Sequence, residues 1–371
     1  MKALRKYLDK IKPNFEEGGR FHAFHSVFDG LETFLFVPGK TAKTGTHIHD
    51  SIDSKRIMSI VVIALMPALL FGMYNVGYQH FLHTGVQGTF VELFAYGFLA
   101  VLPKVIVSYV VGLGIEFVIA QWKKEEIQEG FLVSGMLIPL IVPVDCPLWI
   151  IAVATAFAVV FAKEVFGGTG MNIFNVALIT RAFLFFAYPT KMSGDAVWVS
   201  GDSMFGLGKA VDGLTVATPL GEAATTGVVP AFHMDMVTGF IPGSIGETSV
   251  IAILIGAVIL LWTGIASWKT MLSVFVGGAL MAWIFNLVSI EHNAMSQMPW
   301  YEHLVLGGFC FGAVFMATDP VTSARTETGK YIFGFLIGVM TIVIRVLNPG
   351  YPEGMMLAIL LMNIFAPLID Y

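Results

Sequence analysis

The sequence predicts an all-α polytopic membrane protein of about ten transmembrane helices, arranged as two inverted five-helix repeats with broken helices. Three observations predict it. The chain is 56% hydrophobic and 13% charged, with a mean hydropathy of +0.78, whereas soluble domains carry about 25% charged residues. Several apolar runs reach the roughly 20 residues that cross a bilayer as a helix. The runs also fall into two sets of five with one outline: a long first pair, a Gly/Pro-broken segment, then two more spans. An odd number of spans per set forces the halves to be inverted, and inverted repeats with broken helices place polar or ion sites near the bilayer midplane.

The spans are expected at 56–75, 95–120, 130–143, 147–165 and 173–188, then at 249–266, 269–289, 301–317, 331–347 and 352–370. The third (GMLIPLIVP) and eighth (GGFCFGAVFMATDP) are interrupted by Gly and Pro. Their freed backbone groups must be enclosed by protein or line a cavity, because lipid satisfies none of them. Four regions follow: an N-terminal extension 1–55, a first repeat 56–188, a long polar loop 189–248 and a second repeat 249–371. The extension is basic and contains FHAFHSVFDGLETFLFV, which suits a short amphipathic helix as a surface segment or as a lid. No cleavable signal is expected in the first 56 residues.

Charge predicts the orientation. If the N-terminus is cytoplasmic, sixteen of the 21 basic residues, among them Lys55, Lys123, Lys163, Lys269, Arg325 and Lys330, fall on that side. Lys191, Lys209 and Arg345 are left outside, and Lys104 and Arg181 fall within spans. The positive-inside rule therefore puts both termini in the cytoplasm and the loop 189–248 outside. Cys146 and Cys310 are the only cysteines, so this chain alone cannot supply the four ligands of an iron–sulfur cluster. GxGxxG after a strand is absent, so NADH is expected to bind elsewhere, and nothing points to nucleic acid.

The loop contains VDGLTVATP, residues 211–219. Asp212 and Thr215 suit a turn, and Thr218 suits the cap of whatever follows Pro219; its hydroxyl, beside the small Ala217, is also open to modification. FGGTGMN (166–172) places Gly167, Gly168 and Gly170 after a helix, where a Gly-rich turn serves tight packing or offers backbone N–H groups to an anion or ring. Arg181 lies deep in the fifth span, where a charge is costly and by default functional; pairing with a backbone carbonyl is the structural alternative. Glu129 opens the broken third span, Asp319 closes the eighth and Asp370 ends the tenth; Asp29 and Glu32 sit in the extension. Carboxylates beside freed carbonyls suit a hard cation, and Glu129 and Asp319 hold matching places in the two repeats. Glu164 and Glu353 suit helix caps.

VDGLTVATP resembles the Asp-Gly-x-Ser/Thr-x-Ala-Thr acceptor at which a flavin transferase links FMN to threonine through a phosphoester. That acceptor belongs to the family containing the B subunit of the sodium-pumping NADH:quinone oxidoreductase and its counterpart in the ferredoxin-linked Rnf complex. EGFLVSG (129–135), AKEVFGGTGMNIFNVALITRAFLFFAYP (162–189), ATDPVTS (317–323) and NPGYPEGMMLAILLMNIFAPLID (348–370) carry the resemblance over nearly the whole chain. Two positions depart from the acceptor pattern: Val216 stands where Gly is usual, and Thr215 where Ser is frequent. The N-terminal KALRKYLDKIKPNFEEGGRFHAFHSVFDGLETFLFVPG favours the sodium-pump member over the Rnf one.

The resemblance implies a urea-channel-like fold in a bacterial inner membrane, and covalent FMN at Thr218 with Asp212 and Ala217 as part of its acceptor. It also implies a non-covalent riboflavin near Gly167, Gly168, Gly170, Asn172 and Asn175, with Arg181 offsetting a reduced flavin or the Thr218 phosphate. Glu129, Asp319 and Asp370 become the sodium-pathway acids. The partners implied are the other subunits of a six-subunit complex, quinone, sodium ion and lipid. Electrons from NADH would reach FMN through those subunits, pass to riboflavin and reduce quinone while sodium moves outward, the cofactors carrying the chemistry and the protein positioning them. The rival expectation is a urea-channel-like solute transporter, which needs no acceptor threonine.

Overall fold

A computed structural model describes residues 2–16, 19–21, 24–36, 44–45, 52, 54–123, 130–291, 293–348 and 350–371. The described residues are helical or irregular, with a single isolated bridge between Met204 and Leu207. Two short helices, α1 (Lys2–Ile11) and α2 (His25–Leu35), lie in the extension. The first half then holds α3 (Ser54–Thr84), α4 (Phe90–Lys123), α5 (Phe131–Leu140), α6 (Leu148–Ala158) and α7 (Val176–Ala187). Three brief helices, α8 (Pro189–Met192), α9 (Pro219–Thr226) and α10 (Asp235–Thr238), punctuate the polar segment. The second half holds α11 (Val250–Trp262), α12 (Trp268–Val288), α13 (Ala294–Gln297), α14 (Trp300–Val305), α15 (Phe309–Phe311), α16 (Glu327–Leu347) and α17 (Met355–Asp370). α6 continues as a π-helix over Val159–Lys163, and α15 as another over Gly312–Met316.

Among the described residues five helices are long and apolar enough to cross a membrane: α3, α4, α6 with its extension to Phe166, α12 and α16. α5, α7, α11 and α17 are shorter apolar helices of 10, 12, 13 and 16 residues. At 1.5 Å per residue, the 10 residues of α5 span only about 15 Å of a hydrocarbon core about 30 Å thick. The chain turns irregular after α5, and protein encloses the turn: Leu140, Ile141 and Val142 are fully buried. The Gly246 amide donates to the Leu140 carbonyl at 2.7 Å and the Ile245 amide to Val142 at 3.4 Å. The chain is a polytopic membrane protein with broken helices.

Boundaries differ from expectation where polar residues are enclosed. α3 runs to Thr84, beyond the expected 75, although Asn75, Gln79 and His80 are polar. The segment 189–248 covers them: Asn75 Nδ2 donates to the Ile241 carbonyl at 2.9 Å. His80 Nε2 accepts from the Lys209 amide at 3.1 Å, which leaves Nδ1–H to donate to the Ser200 carbonyl at 2.6 Å. The eighth span is in pieces, because the backbone leaves the helix at Leu306–Gly308 between α14 and α15.

Close helix packing rests on glycine. A Cβ on Gly97 of α4 would lie 1.6 Å from the Met73 carbonyl oxygen, and one on Gly77 of α3 1.9 Å from that of Leu93. α12 and α16 approach in the same way, with Gly277 against the Phe335 carbonyl and Gly338 against that of Val274. Small residues at crossings let backbones meet where no hydrophobic force drives helices together.

Candidate functional site

Two cavities lie between the halves, at opposite ends of the same broken elements. The first opens toward the 189–248 segment and is lined by Arg181, Trp198, Thr218, Glu247, Tyr351 and Glu353 among others. The second lies near the start of α7 and is lined by Lys163, Asn172, Asn175, Phe315 and Asp319 among others. Each measures about 90 Å³, too small to enclose a flavin ring system whole.

Thr218 has extended backbone angles and is the N-cap of α9, its hydroxyl accepting from the Gly221 amide at 3.0 Å. Pro219 at the first helical position removes an amide that would have no intrahelical partner. A phosphoryl group on Thr218 would therefore sit at a helix N-terminus, where N–H groups and the helix dipole favour negative charge. Ala217 beside it is half-buried, and Asp212 is exposed in a turn with Gly213 at φ +72°.

Arg181 projects from α7 into the first cavity. It donates to Glu247 Oε1 at 2.7 Å, to the Ile141 carbonyl and to Glu353 Oε2. The charge pairing and the carbonyl bond thus coexist on one guanidinium. Below it Arg345, fully buried, donates to the carbonyls of His303 at 2.5 Å, Glu353 at 2.7 Å and Leu306 at 2.9 Å. Two arginines face two glutamates, with Glu353 the partly exposed member, so the set is formally neutral, as enclosed charge must nearly be. One expectation is corrected here. Glu353 caps no helix: α17 starts at Gly354 without a side-chain cap, and Glu353 is the ion partner of Arg181. Arg345 is enclosed by backbone carbonyls of the α14–α15 break. Glu247, which no sequence motif singles out, is a member of the same network.

The second cavity joins Asn175 with Asp319. Asn175 caps α7, its Oδ1 accepting from the amides of Ala177 at 3.0 Å and Leu178 at 3.3 Å, and its Nδ2 donates to Asp319 Oδ2 at 3.0 Å. Asp319 also accepts from the Val321 amide at 3.0 Å and the Thr322 hydroxyl at 3.1 Å. Asn172 donates to the Phe174 carbonyl at 2.9 Å, and its amide oxygen accepts nothing among the described residues. Gly167, Gly168 and Gly170 all have positive φ, but none lines the cavity. Gly167 donates its amide to the Glu164 carbonyl at 3.2 Å and Gly168 to that of Lys163 at 3.1 Å, so both amides close the end of α6. Asn175→Ala should cost about 1–2 kcal/mol through the lost cap. Asn175→Asp, which keeps the cap but sets a carboxylate against Asp319, should cost more. Thermal midpoints in detergent order the two, and equal midpoints would remove the Asn175–Asp319 bond from the account.

The other acids separate. Asp370 accepts from the amides of Arg325 at 2.8 Å and Thr326 at 2.9 Å and from the Thr326 hydroxyl at 2.7 Å, so it ties down the start of α16. Glu32 is buried and ion-paired with Arg5 at 3.1 Å and Lys12 at 2.8 Å. Glu164 pairs with Lys123 at 3.3 Å and caps no helix with its side chain. Lys163, one of the basic residues counted on the cytoplasmic side, is buried against Glu116 of α4. Glu129 and the Asp29 side chain lie outside the described residues.

Broken membrane helices enclosing two polar cavities, one crossed by a buried Arg–Glu network, define a membrane protein of the transporter or membrane-redox class. The chain belongs to the NQR2, RnfD, RnfE family, whose model matches residues 41–371. It is 47% identical to the B subunit of the Na(+)-translocating NADH-quinone reductase of Chromohalobacter salexigens, over 99% of this chain and 93% of the relative. It is 46% identical to the same subunit of Azotobacter vinelandii and 45% identical to that of Pseudomonas aeruginosa, in each case over 99% of this chain and 96% of the relative.

Proposed function

We propose that the chain is the B subunit of a Na+-translocating NADH:quinone reductase, a membrane redox protein that carries FMN on Thr218. The observation that carries this is the seat of Thr218. The last residue of the acceptor-like stretch lines a cavity and caps a helix, and that cavity also holds Arg181 and the aromatic rings of Trp198, Phe185 and Tyr351. The full-length similarity to relatives that carry that name supports the same function.

The residues present fit a flavin in part. The start of α9, where the Leu220 amide has no hydrogen bond among the described residues, would face the phosphoryl group, and Trp198, Phe185 and Tyr351 offer apolar faces to a ring. Glu247 and Glu353 already engage Arg181, so that arginine is not a free counter-charge. In the second cavity Asn172 would offer its amide oxygen to riboflavin, whereas Asn175 is committed to α7 and Asp319. When bound, the flavins supply the electron chemistry that quinone reduction needs. The chain itself excludes water with its broken helices and fixes charge near each cavity. Asp319, with Asn175 and Thr322, is the described carboxylate best seated to meet sodium; Asp370 serves the fold.

The alike packings α4–α6 with α6–α7 and α12–α16 with α16–α17 suit two repeats, although α3–α4 has no counterpart in α11–α12; the inversion rests on the odd number of spans. With both termini in the cytoplasm of a bacterial inner membrane, Thr218 faces the outer side, where a covalent link prevents loss of the cofactor. The remaining subunits of a six-subunit complex would bring electrons from NADH.

The experiment is in-gel flavin fluorescence of the denatured chain, followed by peptide mass spectrometry across residues 192–269, in wild type and Thr218→Val. Expected are FMN on the Thr218 peptide and its complete loss in the variant. An unmodified Thr218 from cells with an active flavin transferase rejects the proposal and favours the channel, which the two opposed cavities would also suit.

A further inference from the structure

A third cavity, of about 560 Å³, opens where the α11–α12 and α15–α16 connections meet. Its lining includes Trp268, Lys269, Arg325, Glu327 and Lys330. Glu327 is shared between Lys269 and Lys330, the latter at 2.7 Å. The Asp370 carboxylate nearby is taken up by the α16 start. Three cations therefore face two carboxylates that are already engaged, and the Arg325 guanidinium makes no hydrogen bond or ion pair among the described residues. The side chain of Arg325 is exposed.

Lys269 Nζ lies 6.0 Å from the ring centroid of Trp268 and 5.7 Å from that of Tyr331, and the two rings meet edge-on at 6.3 Å. Indole and phenol groups beside lysine mark the headgroup level of a bilayer. Leu261, Trp262, Leu272 and Ile332, on the same three helices, are 41%, 89%, 50% and 45% exposed. Basic groups at the rim thus give way to an uncovered apolar surface. A small anion would use only the first of these; an amphiphile uses both. The cations also make this mouth a poor entrance for sodium.

We propose that this cavity binds the headgroup of an anionic phospholipid. Its phosphodiester would lie among Lys269, Arg325 and Lys330, and its acyl chains along α11, α12 and α16. Interfacial basic residues recognise anionic lipid in this way, each strengthening binding about fivefold.

The test is native mass spectrometry of the full-length chain in detergent, with phosphatidylglycerol, phosphatidylcholine or inorganic phosphate added. Retention of phosphatidylglycerol over phosphatidylcholine is expected, with retention about fivefold weaker in Arg325→Gln and again in Lys330→Gln. The two substitutions lie on different elements, and neither removes a buried side chain. Arg325→Lys, which keeps the charge, should retain lipid. Equal retention by wild type and both glutamine variants overturns the proposal. So does equal retention of phosphatidylcholine. Displacement of the lipid by millimolar phosphate would make this a free-anion site and overturn it as well.

Discussion

Arg181→Leu is expected to lower the stability of the folded chain by about 3–5 kcal/mol, the cost of leaving buried carboxylates without their cation. The wild-type guanidinium meets Glu247, Glu353 and the Ile141 carbonyl at once. Its removal leaves neither Glu247 nor the Glu353 carboxylate a cation at hydrogen-bond distance; Glu353 keeps the Tyr351 hydroxyl at 3.4 Å and a backbone link to Arg345. Replacing Arg181, Glu247 and Glu353 together by leucine should recover most of that loss, because buried ion sets exchange for apolar groups of similar volume at little cost. Activity should not recover with it if the charges serve the reaction. Thermal midpoints of the single and triple variants in detergent decide this; a single variant that unfolds with the wild type would show that the network stabilises nothing.

Gly97→Ala is expected to be at least as damaging, at about 3 kcal/mol or more, for a steric reason. Its new methyl group would sit 1.6 Å from the Met73 carbonyl oxygen, an atom that no rotamer change can move. α3 and α4 would have to separate along their whole crossing. Gly114 on the same helix provides the control, since nothing lies within 4 Å of its added Cβ. Gly114→Ala should be neutral or stabilise by about 0.5–1 kcal/mol through helix propensity. Folded yield and thermal midpoint of the two alanine variants measure the difference, and equal behaviour would contradict a close α3–α4 contact.

Much of this is legible in the sequence because it is local. The apolar runs, the Gly/Pro breaks at the third and eighth spans and the cap role of Thr218 all depend on neighbours within a few residues. What escapes depends on distant partners. Glu353 meets Arg181 across 172 positions, so from sequence it reads as an ordinary acid before a helix. Arg345 stands near a helix end and reads as solvated, yet carbonyls freed by a break some 40 residues away enclose it. Composition ends α3 at residue 75 because its polar tail is covered by Tyr96 of the next helix and by a segment more than a hundred residues later. A deep charge offers the one available signal: Arg181 in an apolar run demands an acid, and Glu247 and Glu353 stand just before α11 and α17.

The backbone bonds from Gly246 to Leu140 and from Ile245 to Val142 bear on the order of biosynthesis. When the ribosome has delivered only the first five helices, the unwound end of α5 has no partner for the Leu140 and Val142 carbonyls. Lipid cannot supply one. The early half must therefore wait at the translocon or in a wet, loosely packed state until about a hundred further residues have emerged. Maturation of the midplane is then a late event, completed when the nascent chain reaches α11 and closes the seam.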